Sequence, residues 1–146
     1  MNIKEIKNWF EVAIPEPTIE QACIQIGCHY EEVHEMATCL NDDMFTEELE
    51  DTAIHYKGGS YGYKEALSGL SEKDRIELID SLCDQIVTAI GVAHMLGMDI
   101  EGALKEVNRS NHSKFEDGAA VFDDNGKITK GKHCSKPELS KFIGTK

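Results

Sequence analysis

The stretch from Ser71 to Gly97 constrains the fold more than any other part of the chain. Ser71 with Asp74 resembles a helix cap, and no glycine follows until Gly91. Ile76, Ile79, Cys83, Ile86, Ile90 and Ala93 step by three and four along one line, and Leu78, Leu82, Gln85, Ala89, Val92 and Leu96 form a neighbouring one. That periodicity predicts a long helix with a wide apolar arc, the kind that packs on more than one neighbour. A chain organised round such a helix is expected to be an all-α bundle.

The remaining segments read as its partners. Pro15 and Pro17 punctuate the start, and Thr18 with Gln21 forms a capping box that opens a helix to about Leu40. Asn41-Asp42-Asp43 breaks it. Thr46, with Glu48 to Asp51, opens a shorter helix that stops near Lys57 at Gly58-Gly59. Gly58 to Gly69, rich in glycine and tyrosine, reads as a loop with one helical turn around Lys64 to Leu67. Asp99 caps a further helix to about Ser113. Asn125-Gly126, between the β-prone runs Ala119–Phe122 and Lys127–Thr129, is a hairpin signal. The expectation is a single domain over residues 1–146. Four to five helices form a core at about 18–114, and a basic tail over 115–146 carries a short β-hairpin or stays extended.

Charge narrows the function classes. The net charge is −12, with residues 1–104 at −15 and residues 105–146 at +3. Most of such a surface repels a long nucleic acid, whereas a small polyanion carried with metal ions suits both halves. An acidic soluble domain with a solvated tail is the plain alternative. No run of eighteen apolar residues occurs, so no membrane span is expected. The N-terminal residues lack a secretory layout. Five cysteines without a repeating spacing fit a reduced, cytoplasmic setting better than a disulfide scaffold.

The chemistry-bearing residues are carboxylates. Glu31-Glu32-Val33-His34-Glu35 falls on one expected helix, and Glu77, Asp80 and Asp84 fall on another. Spacings of three and four put Glu32 with Glu35, and Glu77 with Asp80, on common faces. Acidic residues opposite an apolar stripe are commonly a solvated face. Here, however, the line through Glu31 and Glu35 runs back through Cys28 and Ile24. The line of Glu77, Asp80 and Asp84 runs on to Thr88, Gly91 and Met95. Acids on lines that turn apolar suit a cleft, where like charges need a cation. An all-oxygen set of this kind suits magnesium.

Glu-Glu-x-x-Glu at 31–35 followed by Glu-x-x-Asp at 77–80 resembles the all-α nucleotide pyrophosphohydrolase superfamily. That group includes MazG-like enzymes, dimeric dUTPases and phosphoribosyl-ATP pyrophosphohydrolase. Glu106–Lys114 and Asn125–Gly131 look like its phosphoribosyl-ATP pyrophosphohydrolase-like branch. The likeness covers roughly Thr18 to Leu139. It implies a MazG-like bundle that hydrolyses (deoxy)nucleoside triphosphates to monophosphate and pyrophosphate, in a pool-cleaning role. It implies magnesium, with manganese as substitute, on Glu32, Glu35, Glu77 and Asp80, and a catalytic role for Glu31 or Glu35 in receiving the proton of an attacking water. It also implies a homodimer or higher homo-oligomer. One departure is the 41 residues between Glu35 and Glu77, more than in compact MazG domains.

Arg109, Lys114, Lys127 and Lys130 are candidates for phosphate contact, and Asn111 for sugar or phosphate. Each lysine also reads as a solvated surface residue. Trp9, Phe10, Tyr61 and Tyr63 are the rings available to a base, Trp9 and Phe10 reading more naturally as packing. Cys23, Cys28, His29, His34 and Cys39 scatter round their helix, and without Cys-x-x-Cys a structural zinc site is not expected. Two rival readings are the phosphoribosyl-ATP pyrophosphohydrolase of histidine synthesis and a non-catalytic helical interaction protein.

Overall fold

The computed structural model describes residues 3–59 and 61–144. Over these residues the chain is all-helical, as expected, with no named strand. The helices are α1 (Ile3–Ala13), α2 (Ile19–Cys39), α3 (Asp43–Lys57), α4 (Tyr61–Ser68), α5 (Glu72–Met95) and α6 (Ile100–His112), followed by a 3₁₀ turn at Ser140–Phe142. No helix among the described residues is long and apolar enough to cross a membrane. They fall into two compact units, the first of Met1–Pro15, Ser71–Val121 and Ile128–Lys146, the second of Glu16–Leu70 and Phe122–Lys127.

The second unit is built on α2 and α3. Thr18 caps α2 through the expected box, its hydroxyl accepting from the Gln21 N–H at 3.3 Å and its own N–H donating to Gln21 Oε1 at 2.8 Å. The helices run antiparallel. Gly27 of α2 lies against Ala53 and Lys57, and the His34 ring nitrogen Nδ1 is 2.9 Å from the Thr46 carbonyl oxygen. Small residues allow this approach: Cys23, Gly27, Ala37 and Ala53 are buried along the seam. A side chain at Gly27 would place its Cβ 2.8 Å from the Ala53 carbonyl oxygen and 2.9 Å from the Lys57 nitrogen.

In the tyrosine-rich stretch, expected as a loop with one helical turn around Lys64 to Leu67, that turn is part of the longer helix α4, Tyr61–Ser68. Tertiary contacts override its glycines. Tyr63 packs on Tyr56 with ring centroids 4.2 Å apart, Tyr56 stacks on Tyr30 at 5.7 Å, and Lys64 pairs with Glu20 of α2 at 3.1 Å. The turn at Asn125-Gly126 closes with Asp123 N–H donating to the Lys127 carbonyl at 2.9 Å. The Asp123 carboxylate accepts from the N–H groups of Asn125 and Lys127, both at 2.9 Å. Gly126 takes a positive φ of 77° there, which glycine adopts without strain.

In the first unit α1, which the sequence reading leaves unassigned, docks on α6. Trp9 is buried and stacks on Phe115 at 5.5 Å, which fits its packing role rather than that of a base platform. Ser71 and Asp99 cap α5 and α6 as expected. The tail is tied to α6. Ser110 and Ser113 bond the backbone of Ser135, and the Asp99 N–H donates to the Phe142 carbonyl at 2.8 Å. Along α5 the one buried residue is Ala93. Its apolar arc, expected to pack on several neighbours, meets α6 in this unit and otherwise keeps Ile79, Ile86 and Val92 about half exposed (59%, 48% and 52%).

Candidate functional site

The six carboxylates singled out from the sequence divide between the units. Glu31, Glu32 and Glu35 lie in the C-terminal half of α2; Glu77, Asp80 and Asp84 lie in α5. Glu32, Glu35, Glu77 and Asp80 are exposed. On α5, Glu77 makes an ion pair one turn away, with Lys73 at 3.5 Å and both side chains well exposed. A contact this long and this wet gives way readily to a stronger partner. Each couple by itself offers oxygen donors one helical turn apart and reachable from solvent, the donor type that a hard divalent cation takes. Within either unit, among the described residues, no third metal-ligating side chain joins them in a group.

Glu31 differs from its neighbours. Its side chain is about two-thirds buried and accepts from two ammonium groups, Lys127 Nζ to Oε2 at 2.6 Å and Lys57 Nζ to Oε1 at 3.0 Å. The hydrogen bond from Lys127 is the main cause holding the Glu31 carboxyl below its usual value, against a desolvation that pushes the other way, and Lys57 adds to the lowering. The same bond raises the Lys127 ammonium. Carboxylate oxygens committed to two cations make a weak proton acceptor. Of the two acids proposed to receive a proton, Glu35 is the one left exposed.

The other basic candidates also have defined places. Arg109 donates to both Glu106 oxygens at 2.7 and 2.9 Å, to Ser135 Oγ at 2.6 Å and to the Lys136 carbonyl at 3.1 Å. That pairing and the Glu138 N–H hold the Glu106 carboxyl down at about 2. The guanidinium therefore fastens the tail to α6, with most of its donors in use. Lys114 contributes its carbonyl to the Gly131 N–H at 3.0 Å. Gly131 is buried so closely that a Cβ there would lie 2.5 Å from that oxygen. Asn111 is half-buried at the end of α6 and Lys130 is exposed.

A cleft in the second unit was not readable from the sequence. It has a volume of about 460 Å³ and opens among the first turns of α2, the end of α3 and the Asn125-Gly126 turn. Ile24 and Phe122 give it apolar surface, and Lys57 and Lys64 bring ammonium groups. No local spacing signals it, because its walls come from three separate stretches of chain. All five cysteines are free thiols, and burial pushes Cys23 and Cys28 upward, which makes them poor nucleophiles. Searches among protein-family models, characterised proteins and solved structures find no match to this chain.

Proposed function

We propose that the chain is a magnesium-dependent nucleoside triphosphate pyrophosphohydrolase of the all-α, MazG-like kind, acting in the cytoplasm on the nucleotide pool. The observation that carries the reading is the ordered pair of accessible carboxylate couples, Glu32 with Glu35 on α2 and Glu77 with Asp80 on α5. In this reading those four residues hold magnesium, for which manganese can substitute. The cation supplies charge neutralisation of the phosphates and a more acidic bound water.

The chain's own groups do the rest. Glu35 takes the proton of the attacking water, because Glu31 is committed to Lys57 and Lys127. Glu31 in turn fixes those two lysines beside the α2 acids, where their charge favours an incoming polyanion. Lys114, Lys130 and Asn111 remain candidates for phosphate or sugar contact. The working form is a homodimer or larger homo-oligomer, in which a second copy covers the apolar arc of α5.

The test is release of pyrophosphate from a panel of ribo- and deoxyribonucleoside triphosphates. Turnover should need magnesium or manganese and vanish with a chelator. Glu35→Gln and Asp80→Asn should each lower it by about a hundredfold or more. Wild type and both variants turning over equally would remove the assignment. A protein that binds magnesium only weakly and non-stoichiometrically would instead fit a helical scaffold with a solvated acidic face.

A further inference from the structure

We infer that the cleft of the second unit is a nucleoside subsite, which takes the base and sugar of a nucleotide and leaves its phosphates to the α2 carboxylates. The inference rests on the nucleotide-hydrolase reading above for its ligand class, and on the cleft itself for its place.

A volume of about 460 Å³ lies within the range of small-ligand sites, about 300–1,000 Å³. Its wall combines the three things a nucleoside uses. Phe122 and Ile24 offer apolar surface to a ring face, and Phe122 is 41% exposed, so its ring is open to stacking. Gln21 and Asn125 bring carboxamides suited to the edge of a base. The Gln21 oxygen already accepts the Thr18 N–H at 2.8 Å, so the group it turns to a ligand is its NH₂ donor. Gly58, Gly59 and Gly126 keep side chains out of the opening, and a Cβ at Gly126 would come within 3.2 Å of the Ile24 side chain.

Charge selects which part of a nucleotide belongs here. Lys57 and Lys64 line the cleft, but each is ion-paired, with Glu31 at 3.0 Å and with Glu20 at 3.1 Å. Lys64 is offset one to one by Glu20, whereas Glu31 is shared between Lys57 and Lys127. The excess positive charge therefore lies at the Glu31 end of the cleft, and the wall round Ile24 and Phe122 suits a polar uncharged heterocycle. The direction of the phosphates follows from α2. Ile24, Cys28, Glu31 and Glu35 lie on one stripe of that helix, and Ile24 to Glu31 spans about 10 Å along its axis. Lys57 bridges the two ends, lining the cleft while its ammonium touches Glu31. A nucleoside seated against Ile24 and Phe122 with its 5′ end pointing along this stripe would carry its phosphates past the Lys57–Glu31 pair toward Glu35.

The experiment is calorimetric titration of the full chain with adenosine, cytidine, guanosine and uridine, which carry no phosphate, so that neither a cation nor the α2 carboxylates contribute. At least one nucleoside should bind wild type. Phe122→Ala should weaken it about tenfold, the expected effect of losing one ring stacked on a base, and Asn125→Ala should change the ranking among the four. Both residues are exposed on a turn, and an unchanged melting curve would certify the fold. Failure of all four to bind wild type, or equal affinities in wild type and both variants, would overturn the subsite. The two readings separate cleanly. Pyrophosphate release with a KM insensitive to Phe122→Ala removes the subsite and keeps the hydrolase. Phe122-dependent binding without any pyrophosphate release keeps the subsite and removes the hydrolase.

Discussion

A single glutamate shows how far a motif can and cannot be read. Glu31 opens the acidic motif, and from spacing alone it is indistinguishable from Glu32 and Glu35. Its partners decide its behaviour, and they lie 26 and 96 residues away, at Lys57 and Lys127. No local pattern carries that information. The consequence is a testable pH dependence. The folded carboxyl sits below the usual glutamate value of 4.5, so it contributes stability that is fully present above 4.5 and is lost as pH falls through the folded value. Glu31→Gln should therefore cost on the order of 1 kcal/mol near neutral pH, a modest figure because solvent still reaches the group. The cost should shrink as pH drops below about 4.5. Urea melts of both proteins at pH 7 and pH 3.5 measure it, and a gap that stays constant between the two would contradict the ion-pair account.

At the scale of helices, the boundaries fixed by neighbours in sequence were legible. The capping boxes Thr18–Gln21 and Ser71–Asp74 and the cap at Asp99 are interactions over three residues, and all three are present. Helix α1 was not legible and α4 only as a single turn, because each is short and is held by groups outside it: Phe115 for α1, and Tyr56 with Glu20 for α4. The seam of α2 and α3 rests on Gly27, whose role is equally invisible in sequence, since a mid-helix glycine usually signals weakness. Here it permits backbone contact. Gly27→Ala gains about 1 kcal/mol of helix propensity but sets a methyl group within 3 Å of two backbone atoms of α3. Overpacking of that kind costs about 1–3 kcal/mol, and the helices must part to relieve it. The net expectation is a lower melting temperature together with a weakened Lys57–Glu31 pair. A variant more stable than wild type would show that α3 moves aside freely.

For the molecule as a whole, the feature that most constrains the fold is also the one the fold leaves least satisfied. The apolar arc of α5 was legible from its period, but what covers it was not, because periodicity reports that a face is apolar and not what it meets. Within its unit α5 buries Ala93 and keeps Ile76, Leu78, Ile79, Leu82, Ile86, Ile90 and Val92 exposed. Completing the burial of these side chains would return roughly half of the usual 1.5–3 kcal/mol each, on the order of 10–20 kcal/mol for two copies paired through α5. Association costs about 4–15 kcal/mol, so at mid-range the surplus is about 5 kcal/mol, which corresponds to pairing at about a hundred micromolar. Glu77, Asp80 and Asp84 stand beside the arc rather than within it, by the 100° step of the helix. Pairing through the arc therefore leaves them able to take a cation. Sedimentation velocity at roughly a few hundred micromolar protein should show an associated species. Ile86→Glu, which puts a charge at the centre of the arc, should shift it to monomer while far-ultraviolet circular dichroism keeps its helical signal. Wild type sedimenting as a monomer would mean that another surface covers α5, and the proposed second copy would have no role in shielding it.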